Sequence, residues 1–271
     1  MLGKRKQRQS YASYFTYLEG PPRNFLQILN EGRRLAYETI VDFKKDYIGQ
    51  KTVRLVRAYP FEEPLFSQDE ALSLWSDYLS KNETKITTAE VAEPNQELVD
   101  NLATQVNLER LDLLDGDYYD VSSLTALPKL KFLTLDGVPD GIDFSPLAKI
   151  PTLKALRAFS RRPINFDSLS QLTQLEGLEL GSGIDPAFMG YIKVDNFNFL
   201  RPLTNLKKLR TDDLRPIDKD LTPLLSLDNL EEAIYVYFKG QYPSVQDMAL
   251  AHPAFEQVHK IYLEIKSGKY D

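Results

Sequence analysis

The sequence predicts an α/β fold, a repeat solenoid with parallel strands on its concave face and 3-10 or turn segments on its convex face, closed at the N-terminal end by an α+β cap. Three observations predict it. The stretch from Leu98 to Leu230 holds 29 leucines in 133 residues, against 12 in the remaining 138. Within it an L-x-x-L-x-L frame recurs about every 22 residues, and between successive frames apolar residues step by three. A fixed period of this length is the mark of stacked supersecondary units.

The strand-like half of each unit starts at Leu108, Leu130, Leu153, Leu175, Leu206 and Leu230, with spacings of 22, 23, 22, 31 and 24 residues. Ile86, Ala89 and Val91 extend the frame backward, and Val258, Ile261, Leu263 and Ile265 extend it forward, giving about eight units over residues 86–271. In LEEAIYVYF after Leu230, either Ala233 and Tyr235 or Ile234, Val236 and Phe238 can face inward. The second set is expected, because it buries the β-branched pair and turns Tyr235 and Tyr237 outward.

The other half of each unit reads Val121-Leu124-Leu127-Leu130, Phe144-Leu147-Ile150-Leu153, Phe166-Leu169-Leu172-Leu175, Phe197-Leu200-Leu203-Leu206 and Leu221-Leu224-Leu227-Leu230. A step of three suits 3-10 turns and does not match the 3.6 period of an α-helix. Asp120, Asp143, Asn165, Asn196 or Asp220 stands immediately before each run, where its side chain can accept from the unpaired N–H groups that open a helical turn. Pro128, Pro146, Pro151, Pro202 and Pro223 exclude longer helices here.

On these frames the chain resembles the leucine-rich repeat family, in its short 22-residue class seen in bacterial internalin-like proteins. DFSPLAKIPTLKAL (Asp143 to Leu156) and DLTPLLSLDNL (Asp220 to Leu230) look like the bacterial form. The resemblance covers roughly residues 86–265. It departs from the family at the ninth position, usually Asn, where Gly116, Val138, Arg161 and Gly183 stand. The family's secreted ubiquitin ligases use a catalytic cysteine, and a chain with no Cys cannot be one of them.

Residues 1–85 differ in kind, with 14 basic and 11 acidic residues, net +3, against −9 for the rest. Phe25, Ile28, Leu29, Ala36, Ile40 and Phe43 predict a helix from about Arg23 to Tyr47. A strand is expected over Thr52–Ala58, then a second helix from about Gln68 to Lys81 with Leu72, Trp75, Tyr78 and Leu79 on one face. A solenoid end exposes apolar surface, so these residues are expected to form a cap or a small domain. The basic run Lys4, Arg5, Lys6 and Arg8 reads as a solvated tail or as an anionic-surface arm.

The 271 residues carry 33 Lys+Arg against 39 Asp+Glu, no Cys and two His. That excludes disulfides, Cys-ligated metals and a thiol nucleophile. No phosphate-binding glycine loop, zinc-protease or nucleophile-elbow motif occurs, so catalytic residues, metal ligands and cofactors are expected to be absent. His252 and His259 are read as structural. The acidic DGDYYD lacks the spacing of a calcium loop. No apolar stretch marks a signal peptide or membrane span, and a cytoplasmic location is the expectation.

Function is therefore sought on the concave face. Alternate strand residues leave the core, so the outward set includes Arg110, Asp112, Phe132, Asp136, Arg157, Phe159, Glu179 and Arg210, then Tyr235, Tyr237 and Tyr262. Aromatics and arginines are the types that anchor protein interfaces. Mixed charge on an acidic domain argues against duplex nucleic acid. The unit from Leu175 carries about nine extra residues over 181–195, with Phe188 and Tyr191, and per-repeat insertions often serve a binding face. The expectation is a non-enzymatic module that binds a protein partner, a regulator, adaptor, immunity protein or effector. The alternative is an enzyme or RNA-binding protein acting through residues 1–85.

Overall fold

The structure is a computed structural model that describes residues 38–40, 47–55 and 68–267, except 140, 161, 163, 182–190, 212, 213 and 236. Among the described residues, nine parallel strands form one sheet. They are β1 (Glu38–Ile40), β2 (Thr52–Leu55), β3 (Thr88–Ala92), β4 (Arg110–Leu114), β5 (Phe132–Asp136), β6 (Ala155–Phe159), β7 (Gly177–Gly181), β9 (Lys208–Thr211) and β11 (Glu232–Tyr235), in that order across the sheet. Ile192–Val194 forms β8, which pairs in parallel with β10 (Leu214–Pro216) in a second, small sheet. Among the described residues, four α-helices accompany them: α1 (Gln68–Lys81), α2 (Gln96–Leu102), α3 (Val245–Ala251) and α4 (Glu256–Lys266).

The L-x-x-L-x-L frame sets the strand register. Leu111, Leu133, Leu156, Leu178 and Leu209 are partners along one line of the sheet, and all are buried in one continuous core. Each such leucine contributes about 1.5–3 kcal/mol by leaving water. The three-step runs close as the sequence predicts. In the run from Phe144, Leu147 donates to Phe144, Ile150 to Leu147 and Leu153 to Ile150, at 3.0–3.1 Å, and the other four runs repeat this i to i−3 ladder.

The residue before each run accepts from the second residue after it. Asp120 Oδ1 takes the Ser122 N–H at 2.8 Å, Asp143 the Ser145 N–H at 2.9 Å, Asn165 the Asp167 N–H at 2.7 Å, and Asn196 and Asp220 the Asn198 and Thr222 N–H groups at 2.8 Å. These are Asx turns. Without asparagine at the ninth position, amides just before the strands bind the preceding unit instead. Asn205 Nδ2 donates to Thr173 O and Asn229 Nδ2 to Thr204 O, both at 2.8 Å, and Gln174 Nε2 to Leu147 O at 3.0 Å. At Gly116 a Cβ would lie 2.6 Å from the Tyr118 ring and 2.7 Å from Pro94, so the buried Tyr118 occupies the space a side chain there would need.

Two expected elements are corrected. The segment from Val258 to Ile265 is not a repeat strand but part of α4. Val258, Ile261, Tyr262 and Ile265 also fall at i, i+3, i+4 and i+7, and Pro253, placed to start a helical turn, commits the chain to helix. His252 is structural there, its Nδ1 accepting from the Ala254 N–H at 3.2 Å. In the expected helix from Arg23 to Tyr47, Glu38–Ile40 is instead the strand β1, in register with Val53–Leu55. The β-branched Thr39 and Ile40 suit that pairing; residues 23–37 and 41–46 lie outside the described residues. The expected helix over 68–81 forms, with Leu72, Trp75 and Leu79 buried.

Candidate interaction face

Register brings the outward fifth position of each unit into one line. Arg54, Glu90, Asp112, Thr134, Arg157, Glu179, Arg210 and Ile234 are successive partners across the main sheet. Strands about 4.8 Å apart place such side chains in contact, and opposite charges close on one another. Arg157 Nε and Nη2 lie 2.7 and 2.6 Å from Glu179 Oε2. Arg210 Nε is 3.8 Å from the other oxygen of the same carboxylate. Arg54 pairs with Glu90.

The third position contributes a parallel line. Arg110 holds Asp112 with two bonds, 2.7 Å from Nε and 3.0 Å from Nη2. Lys208 Nζ lies 2.8 Å from Glu232 Oε2. Burial raises the Glu90 carboxyl above its ordinary range, an effect the hydrogen bond from Arg54 only partly offsets. Just outside the face, Lys207 and Lys154 both bind Glu176 and hold its carboxyl below its ordinary range.

The expected open row of anchors is corrected in several places. Arg110, Asp112, Arg157, Phe159 and Glu179 are all less than 10% exposed, the four charged ones closed into the pairs Arg110–Asp112 and Arg157–Glu179, so they are not a set of free contacts. The Arg157 guanidinium also lies over the Phe159 ring, 5.4 Å from its centre. Phe132, Asp136 and Arg210 remain half-buried.

Tyr235 faces the core and is 3% exposed. Ala233 and Tyr235 hold the fourth and sixth positions of the frame, partnering Leu209 and Thr211, and that register prevails over the β-branched alternative. The Tyr235 hydroxyl accepts from Gln241 Nε2 at 3.2 Å. Tyr237 is half-buried and meets Tyr262 edge to face at 4.9 Å, with Tyr262 on α4 and not on a strand.

Phe188 lies outside the described residues. Tyr191 stacks under Arg215 of β10, with the guanidinium carbon 3.1 Å from the ring centre and the Phe238 ring 5.7 Å away. The end of the 181–195 insertion is thus tied to the neighbouring unit, Ile192 and Val194 being buried. Arg54 and Glu90 join the charged line although sequence reasoning did not place them on this face. The signal for the first was the alternation in TVRL, which repeats the inward-outward pattern of the leucine strands. Among the described residues, no group of three or more His, Asp or Glu could hold a metal ion, and no helix is long and apolar enough to cross a membrane.

Parallel strands in one register, a 3-10 turn opening on an Asx residue in five successive units and a leucine core between them define a leucine-rich repeat solenoid of α/β class. No family model and no curated protein matches the sequence. Among solved structures, an internalin (InlF) of Listeria monocytogenes is similar at 23% identity with a TM-score of 0.44, over 56% of this chain and 41% of that one. Internalin C2 of the same organism is 23% identical with a TM-score of 0.44, over 60% and 68%. A leucine-rich repeat protein of Leptospira interrogans is 18% identical with a TM-score of 0.33, over 57% and 39%. The matched region is less than half of the first and third of these proteins.

Proposed function

We propose that this chain is a non-catalytic, intracellular interaction module that binds a protein partner through its concave face, with the 181–195 insertion at the margin of that face. The observation that supports this reading is the fifth-position line from Arg54 to Arg210, in which charges of both signs are held at fixed spacings by neighbouring strands. A surface whose side chains are already ordered loses little conformational entropy on binding. Charges of both signs in a set order favour one partner and disfavour others. Half-buried Phe132 and Arg210 are the contacts such a partner would reach first.

The test is affinity capture from an extract of the source cells, comparing wild type with a Phe132→Ala/Arg210→Ala variant and with Lys149→Ala on the convex side. A protein recovered by wild type and by Lys149→Ala, but reduced about tenfold with the double variant, supports the reading. Equal recovery by all three overturns it.

A further inference from the structure

The small second sheet presents two cations side by side. In β8 and β10, Ile192, Val194, Leu214 and Pro216 are buried, so the residues between them, Lys193 and Arg215, turn outward. Register makes these two direct partners, and strands about 4.8 Å apart bring their side chains together.

Elsewhere the arginines are engaged within the fold. Arg54, Arg110, Arg157 and Arg210 each face a carboxylate, and Arg201 reaches Asn198 and Thr222. Arg215 differs. The Tyr191 and Phe238 ring centres lie 3.1 and 5.7 Å from its guanidinium carbon, and among the described residues it meets no carboxylate and makes no hydrogen bond. Its Nε is buried without an acceptor, whereas the terminal nitrogens, equally without one, are not enclosed. Lys193 is exposed and forms no ion pair among the described residues. Rings against a guanidinium hold its plane without occupying the donors, which point along its edges. A side chain fixed in this way has little freedom left to lose when an oxyanion takes its fork.

Two adjacent cations match a dianion. A phosphomonoester carries a charge of about −1.5 to −2 at pH 7 and offers three acceptor oxygens, whereas one carboxylate leaves a cation unmatched. Half-buried Phe238 and exposed Ile217 add apolar surface near Arg215 for the stem that carries the phosphate. Exposed Asp195 and Asp218 follow β8 and β10 and oppose the successive phosphates of a nucleic acid strand.

We propose that Arg215 and Lys193 form a binding site for a phosphomonoester on a side chain of a protein partner, with Tyr191 and Phe238 holding the guanidinium in place. The identity of the bearer as a protein rests on the function proposed above; the anion site does not.

The buried Nε–H of Arg215 is shielded from exchange with water and gives a side-chain signal in a proton–nitrogen correlation spectrum, assigned by its loss in Arg215→Lys. The probes are a Gly-Gly-X-Gly-Gly peptide with phosphotyrosine or phosphoserine at X, the same peptides without phosphate, and an oligothymidylate. The expected result is a saturable shift of that signal by at least one phosphopeptide and by neither unphosphorylated form. Lys193→Ala, at an exposed position, is expected to weaken that binding about tenfold, and Lys149→Ala on the convex side to leave it within about twofold. No saturable shift with either phosphopeptide, an equal shift without phosphate, tighter binding of the oligothymidylate, or an unchanged affinity in Lys193→Ala overturns the inference. Asp212 and Asp213 lie outside the described residues, and a guanidinium already held by either would leave the signal unmoved by phosphopeptide. Failure of the concave-face reading spares this shift, and failure of this site spares the capture that depends on Phe132 and Arg210.

Discussion

Arg157 on β6 and Glu179 on β7 are register partners, with two guanidinium nitrogens 2.7 and 2.6 Å from one carboxylate oxygen and both side chains nearly buried. Replacing one member removes the charge that compensates its partner in a site poor in water, so Glu179→Ala is expected to cost about 3–5 kcal/mol. The double variant Arg157→Met/Glu179→Leu is expected to cost less than Glu179→Ala alone. Urea unfolding of the three chains checks this, and additive losses would contradict it.

The Asx turns predict a second pattern. Asp120→Ala and Asn165→Ala should each cost about 1 kcal/mol, because each leaves an N–H at the start of a turn without its acceptor. Asp120→Asn should cost less, since Oδ1 survives and only the bond from Ser122 Oγ is lost.

The same residues set an acid limit. The Ser122 hydroxyl and N–H lower the Asp120 carboxyl below 3.8, and the Ser145 N–H and hydroxyl do the same for Asp143. The unfolded chain therefore binds more protons in that window, so stability from these turns is present above about pH 3.8 and is lost as pH falls through the lower folded values. Glu90 has the opposite sign. Burial raises its carboxyl above 4.5, so its contribution declines as pH rises from 4.5 through that raised value. The difference in unfolding free energy between wild type and Glu90→Gln, followed from pH 3 to 7, should change in that direction.

Gly116→Ala is expected to cost about 1–3 kcal/mol, because the new methyl group meets Tyr118 and Pro94 at 2.6–2.7 Å. Thermal unfolding of Gly116→Ala beside Gly116→Ala/Tyr118→Ala separates collision from backbone effects. Partial recovery in the double variant is the expected outcome.

The register of β11 can be read from two substitutions. Tyr235→Ala should cost about 3–5 kcal/mol and Ile234→Ser under 1 kcal/mol, as inward and outward positions require. The reverse order would restore the arrangement that the residues after Leu230 suggest when read alone.

How far the sequence could be read follows from the range of the forces involved. Leucine spacing, three-step runs and Asx residues act within a few positions, and the structure reproduces each of them. At β11 two inward sets look equally apolar, and only pairing with Leu209 and Thr211 on β9 decides between them. Val258 to Ile265 satisfies both a strand and a helix pattern, and the turn at Pro253 resolves it. The burial of Arg157, Phe159 and Glu179 was not legible, because it depends on how side chains of neighbouring strands pair and stack on one another and not on which face a residue takes. Arg54 and Glu90 show that the charged line begins before the first leucine frame.

The central claim, that the concave line is a recognition surface, is tested most directly by titration calorimetry with the captured partner. The account predicts that Phe132→Ala/Arg210→Ala, verified to be folded at the temperature of the measurement, raises Kd at least tenfold, and that Lys149→Ala leaves Kd within twofold. A Kd unchanged by the concave substitutions, or raised only by Lys149→Ala, would contradict it.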